Sequence, residues 1–357
     1  MTEITPLKVG CGKFFHGKGV LSLLPSEIRR LGNKALIIGG PTGMKCFLSA
    51  IQKDLDSSSI TYTIIEHHGQ CTNEQARFFS EKAHELGCTV LVAVGGGKCI
   101  DNVKCASVFS DLPIITVPTS IATCVATSMV AIMYNDNGQR EPSIKLKKEI
   151  DVCIADSDLI GSAPRRTLAS GIMDSIAKYP ESLYKKSVSS YRDCDIKEYI
   201  QITNARAIYE FLTGEYKDLY DNGSESVHFD DAILTNLLHT SIVSGFADGS
   251  GQLAIAHATY DFVRNHFTVP GSAFLHGELV AIGLLIQMAF NEMDNHEIEK
   301  VRSAMRYMNM PLTLRDIGYD TSEESMEFFI KNIASDTGIK SAAEYEKLKL
   351  AVMEVLQ

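Results

Sequence analysis

The sequence predicts an α/β N-terminal domain built on a parallel sheet, followed by an all-helical C-terminal domain. Three observations carry this. From residue 20 to about 155, helix-spaced segments alternate with short β-branched runs. Most of those runs are apolar along their length, as strands covered on both faces are. After SAPRR, at 162–166, no further convincing β run occurs and the spacing is helical throughout.

Taken in order, VLSLLPSEIRRLG reads as helix, ALIIGG as strand and MKCFLSAIQKDL as helix. ITYTIIEH follows as strand, NEQARFFSEKAHELG as helix, TVLVAVGGG as strand, CIDNVKCASVFS as helix and PIITVPT as strand. MVAIMYNDNGQREPSIKL reads as a β-hairpin, because NDNG supplies residues that tolerate positive φ in a tight turn. The expected boundaries are 1–160 for the α/β domain and 161–357 for the helical one. With no linker or low-complexity tract between them, their interface is expected to be a cleft, where ligand sites concentrate.

Composition narrows the function. The 357 residues carry a formal charge of −10 with charged side chains dispersed, so there is no basic stripe to follow a phosphate backbone and nucleic acid is not an expected partner. The longest apolar stretch, LVAIGLLIQMAF, is shorter than the ~20 residues that span a bilayer, and MTEITPLKVG has no leader pattern, so a soluble protein without a membrane partner is expected. Nine scattered cysteines suit a reducing compartment, by default the cytoplasm, better than a disulfide framework.

Three stretches could carry chemistry. In VLVAVGGGKCIDNVKCAS a strand runs directly into Gly95, Gly96 and Gly97, then Lys98 and a helix. Glycines admit a ligand close to the backbone, and the N–H groups of a helix start suit a pyrophosphate. The spacing is neither GxGxxG nor the Walker pattern, so a plain tight turn stays open. In LASGIMDSIAKYPES, Asp174 lies in an otherwise apolar, small-residue helix, where a carboxylate is paired, protonated, metal-bound or a helix cap. In GQLAIAHATYDFVRNHFTVPGSAFLHGELVAIG, His257 and His276 sit in similar small, apolar surroundings. With Asp174 they make a plausible His, His, carboxylate set that leaves coordination positions for water and substrate, as catalytic Zn²⁺ or Fe²⁺ sites require. His266, between them, competes for the same role.

Strand-GGGK-x-x-D, then VPT with a small polar loop, then SGI-x-D, AHA and FLHG, in this order, resemble the iron-containing (group III) alcohol dehydrogenases, most closely the glycerol-dehydrogenase-like branch near the hydroxycarboxylate dehydrogenases. The likeness runs from FFHGKGVLSLL to the helix after His276. It implies a Rossmann-like, dehydroquinate-synthase-like fold with NAD or NADP between the domains and its pyrophosphate on Gly95, Gly96 and Gly97. It further implies that Lys98, Asp101, Thr116, Thr119, Ser128 and Tyr134 flank the cofactor, that Asp174, His257 and His276 hold one Zn or Fe ion, and that the protein forms a homo-oligomer. The implied activity is hydride transfer to or from a CH–OH carbon.

Departures from the family pattern bear on specificity. Glycerol dehydrogenases carry an aspartate in the loop after VPT that contacts substrate hydroxyls; the matching residue here is Cys124. A neutral residue there removes repulsion against an anion, so a small 2-hydroxy or 2-oxo acid is the expected substrate, with glycerol or another polyol the alternative. Gly39 and Gly40 stand where a strand-end acid would bond the ribose of NAD, so a 2′-phosphate is not repelled and NADP is admissible. Tyr260 replaces a second histidine. A lyase of the dehydroquinate-synthase kind would need several basic residues in the metal cleft, and nearby segments offer Lys178 and Arg264. A cofactor-binding protein without catalysis, and a cysteine hydrolase centred on Cys124, are the remaining readings.

Overall fold

The computed structural model describes residues 7–247 and 254–356. Most of MTEITPLKVG and the first three residues of GQLAIAHA lie outside them. The α/β half comprises β1 (Phe14–Gly17), a 3₁₀ turn at Val20–Leu23, α1 (Leu24–Leu31), β2 (Lys34–Gly39), α2 (Pro41–Ser57), β3 (Thr61–Glu66) and α3 (Asn73–Glu85). It continues through β4 (Val90–Gly95), α4 (Gly97–Ser110), β5 (Ile114–Pro118), β6 (Val130–Ala131), β7 (Ile144–Lys145) and β8 (Val152–Asp156). Six strands form one sheet in the order β1-β8-β5-β4-β2-β3, every pairing parallel.

The apolar runs are explained by coverage of both faces. Leu36, Ile38, Leu91 and Ala93 pack into the larger core, which is continuous with the helical half. Alternate positions Ile37, Val90, Val92 and Val94 turn to the opposite face, against Leu24, Ile28, Phe47, Ile51 and Leu55 of α1 and α2. This is the period of two that a pleated strand imposes.

The helical half holds α5 (Ser157–Gly161), α6 (Arg165–Ser182), α7 (Ile196–Asn222), α8 (Phe229–Leu234), a π turn at Thr235–His239, α9 (Thr240–Phe246), α10 (Ile255–His266), α11 (Thr268–Gly271) and α12 (His276–Phe290). It ends with α13 (Asn295–Tyr307), α14 (Glu323–Asp336) and α15 (Ala342–Leu356). No strand follows β8 among the described residues, and no described helix is long and apolar enough to cross a membrane.

Two differences from the sequence expectation have local causes. β1 and β8 are sheet members that the pattern did not single out: FFHG is only four residues and half-buried at an edge, and VCIAD is five residues behind a charged run. The hairpin is real but short. Only Val130–Ala131 pairs with Ile144–Lys145, with a single bridge from Tyr134 to Arg140 around the NDNG turn.

Candidate active site between sheet edge and helices

The glycine turn sits where β4 ends. Gly95 has φ of 150°, and a Cβ there would lie 3.3 Å from the Cβ of Cys99. The chain then enters α4 at Gly97, which turns the first N–H groups of that helix toward the C-terminal edge of the sheet. Gly39 ends the neighbouring β2. A Cβ on it would lie 2.8 Å from the Val94 carbonyl oxygen and 2.6 Å from the Met44 methyl, so packing excludes a side chain at the position where an acidic residue would read the ribose. Nothing lies within 4 Å of a Cβ on Gly40.

Three of the expected cofactor residues are engaged inside the protein. Asp101 is buried, with Oδ1 2.8 Å from Lys104 Nζ and Oδ2 accepting from Ile132 N at 3.0 Å. Lys104 is itself fully buried and also donates to Ser128 Oγ at 3.0 Å, Val125 O at 3.1 Å and Val130 O at 2.6 Å. The buried Thr116 hydroxyl donates to Ala126 O at 2.7 Å. These side chains pin the loop that follows β5. Thr119 continues from the strand, its N–H donating to Gly95 O at 3.0 Å. Lys104, absent from the expected set, was legible as a basic residue one turn after Asp101 on α4.

α6 supplies the other wall. Gly171 lies so close to the loop after β5 that a Cβ would fall 1.8 Å from Ile121 O, and a Cβ on Gly277 would fall 1.8 Å from Ser170 O. These two glycines let the β5 loop and the start of α12 close onto α6 one turn before Asp174. The entry of α12 is fixed further by Glu278, which accepts from Leu275 N at 2.7 Å and is gripped by Arg166 through Nε at 2.6 Å and Nη2 at 2.7 Å. A bidentate grip of this kind fixes orientation as well as distance.

This crossing brings Asp174 together with His257 from α10 and His276 from the first residue of α12. One ligand atom from each lies within 4.8 Å of the others. Nε2 of His257 is 3.3 Å, and Nε2 of His276 3.5 Å, from Asp174 Oδ1. That buried oxygen has no hydrogen-bond partner of good geometry. A buried carboxylate oxygen left without a hydrogen bond between two imidazole nitrogens fits a divalent ion of the Zn²⁺ or Fe²⁺ type. His266 stays apart, on an exposed face of α10 with its ring 5.2 Å from that of Phe328.

Two residues on the Asp174 helix complete the set and were not singled out as a group by sequence. Glu181 places both carboxylate oxygens 2.8 Å from His257 Nδ1. This orients the ring with Nε2 toward Asp174, as a carboxylate behind a metal-binding histidine does. Lys178 Nζ is 3.3 Å from Asp174 Oδ1 and 3.1 Å from His257 Nε2. Burial pushes Asp174 up, but Lys178 and the two histidines outweigh it and hold the carboxylate well below its usual range. Burial pulls His257 down, and the Glu181 carboxylate overrides this to leave it at about 9. Asp174, Lys178 and Glu181 are spaced by four and three, one stripe of a helix, and that spacing was the available signal.

Two further side chains lie near this set. Cys124 feels burial first and then the Asp174 charge, which together push its thiol up to about 11. Tyr260 packs its ring 4.3 Å from that of His276, and its hydroxyl is 2.6 Å from the Tyr134 hydroxyl. Both tyrosines line a cleft of about 180 Å³ shared by Gln70, Lys98 and Arg264.

The iron-containing alcohol dehydrogenase family model matches residues 11–157. A glycerol dehydrogenase of Thermotoga maritima is 28% identical over 322 residues, covering 88% of this chain and 86% of that protein. The chain is thus similar to the iron-containing alcohol dehydrogenases over its α/β half and to a glycerol dehydrogenase over most of its length. Hydroxycarboxylate dehydrogenase A of Escherichia coli is also 28% identical, over 242 residues that make up 66% of this chain and 65% of that protein. The crystal structure of glycerol dehydrogenase from Schizosaccharomyces pombe shares the fold, with a TM-score of 0.83 at 20% identity over 98% of this chain and 91% of that one. With these relatives and the Asp174, His257 and His276 cluster, the protein is an NAD(P)-dependent dehydrogenase that acts on CH–OH groups and uses one divalent metal.

Proposed function

We propose that this dehydrogenase interconverts a small 2-hydroxy acid and its 2-oxo acid. Asp174, His257 and His276 would hold the metal, and Gly95, Gly96 and Gly97 would receive the cofactor pyrophosphate. The observation that carries the substrate assignment is Cys124: it is close enough to Asp174 to feel its charge, and its thiol stays neutral up to about pH 11. A polyol would lose a carboxylate partner there, whereas an anionic substrate meets no repulsion.

Bound in these places, the metal supplies a Lewis acid for the substrate oxygen and the nicotinamide carries the hydride. The protein's own groups do the rest. Glu181 holds the His257 Nδ1 proton, which keeps the Nε2 lone pair turned to the metal position. Lys178 balances the negative charge of Asp174 and Glu181, and burial would otherwise make that charge costly. The Tyr260 and Tyr134 hydroxyls, 2.6 Å apart, give the substrate hydroxyl proton a short route from the metal set to the cleft. Asp101, Thr116 and Ser128 serve the cofactor by fixing the loop that carries Thr119 and Cys124. Gly39 leaves room for either NAD or NADP.

A polyol substrate is the second reading, favoured by the glycerol dehydrogenases among the relatives. A steady-state panel of 2-oxobutanoate, hydroxyacetone and glycerol, run with each cofactor on metal-loaded protein, separates the two. On the oxo-acid reading 2-oxobutanoate has the highest kcat/KM; a preference for glycerol, oxidised to dihydroxyacetone, assigns the polyol. We further propose two working domains, 1–160 and 161–357, with the cofactor between them, in a cytoplasmic homo-oligomer. The nine unpaired cysteines are consistent with that compartment.

A further inference from the structure

The cleft beside the metal set contains two cations and no acid. Lys98, at the start of α4, and Arg264, on α10, both line it, and none of the lining residues is a carboxylate. They are close enough to matter to one another: after burial, the charge of Arg264 is what lowers the Lys98 ammonium below its ordinary range. Among the described residues, neither has a carboxylate within salt-bridge distance.

Arg264 is held as if for a purpose other than pairing within the protein. Its Nη1 donates to Gly271 O at 3.2 Å and its Nη2 to Phe274 O at 3.0 Å, while the buried Nε has no partner. Carbonyl acceptors fix a guanidinium without neutralising it. The guanidinium carbon lies 5.2 Å from the Tyr260 ring centroid, and that ring is in turn 4.3 Å from the ring of His276. The positive charge therefore stands one aromatic ring away from the metal set. Two uncompensated cations sharing a partly desolvated cleft repel each other, and an anion between them removes that cost.

We propose that Arg264, acting with Lys98, anchors the anionic end of the substrate, a carboxylate in the oxo-acid reading on which this inference rests. The cofactor pyrophosphate offers the same oxyanion chemistry, so the test must separate the two sources. A planar fork suits a carboxylate in a way an ammonium does not, which makes Arg264→Lys and Arg264→Gln the informative pair.

The measurement is kcat/KM for 2-oxobutanoate and for hydroxyacetone, a neutral ketone of similar size, together with NADH dissociation constants by fluorescence titration and melting temperatures as a check on folding. The ratio of 2-oxobutanoate to hydroxyacetone is expected to fall about 30-fold in Arg264→Gln, mostly through KM, and to recover in part in Arg264→Lys. An unchanged ratio in a folded variant overturns the proposal and leaves the oxo-acid reading intact. So does a loss of NADH affinity that matches the loss in kcat/KM, because it assigns Arg264 to the cofactor. A wild-type enzyme that does not reduce 2-oxobutanoate overturns both.

Discussion

The two walls of the cleft are built by opposite means. On the sheet side the proposed cofactor site is mainly backbone: three glycines, the start of α4 and a loop pinned from behind by buried side chains. On the helical side the proposed metal site consists of side chains from three helices, brought together where Gly171 and Gly277 let the β5 loop and α12 close on α6. A backbone site tolerates substitution at its edges as long as the turn and its pins survive. A side-chain site depends on each donor and on the groups that orient it.

Replacing a pin on the sheet side is expected to have the largest effect on stability. Lys104→Met leaves the Asp101 carboxylate buried without its cation and frees the loop at Val125, Ser128 and Val130. The expected loss is about 3–5 kcal/mol in denaturant unfolding. A variant as stable as wild type would show that the loop does not depend on this lysine.

On the helical side, Glu181→Gln should leave the fold in place and weaken binding of the metal by about 10- to 100-fold, read by competition with a chelator. Unchanged affinity would mean that the carboxylate does not orient His257.

The smallest effect is expected at Cys124. Cys124→Ser should retain substantial hydride transfer, and alkylation of Cys124, followed by peptide mass spectrometry, should be slow at pH 8 and accelerate toward about pH 11. The sign follows from the raised value: the folded state keeps its proton through the window from 9, the usual thiol value, to about 11, so any stability the neutral thiol contributes is lost as pH rises through that window. Covalent trapping of substrate on Cys124, with total loss of activity in the serine variant, would replace the dehydrogenase account by a thiol mechanism.

The same contrast governs how much was legible in the sequence. The β4–GGGK–α4 turn is local, so strand, glycines and helix are read in one stretch. Asp174, His257 and His276 are brought together only by helix packing, and Asp174 alone reads equally as a helix cap. Family resemblance gathered the three; Lys178 was read only as a basic residue near the cleft, and Glu181, on the same stripe of α6, escaped because nothing local distinguishes a side chain behind a histidine from a solvated one. Asp101, Thr116 and Ser128 were read as flanking the cofactor, and their side chains in fact bond within the protein. Burial of that kind depends on tertiary contacts that sequence pattern does not contain. β1 and β8 escaped because strands of four and five residues beside polar runs have too little pattern to stand out.

Metal content measured together with turnover tests the central claim most directly. Wild-type protein is predicted to bind one Zn²⁺ or Fe²⁺ per chain and to oxidise NADH or NADPH with 2-oxobutanoate. Asp174→Asn, folded by its melting curve, is predicted to lose both the ion and the activity. Full turnover by metal-free wild type, or an Asp174→Asn protein that keeps its ion and its rate, would contradict the account.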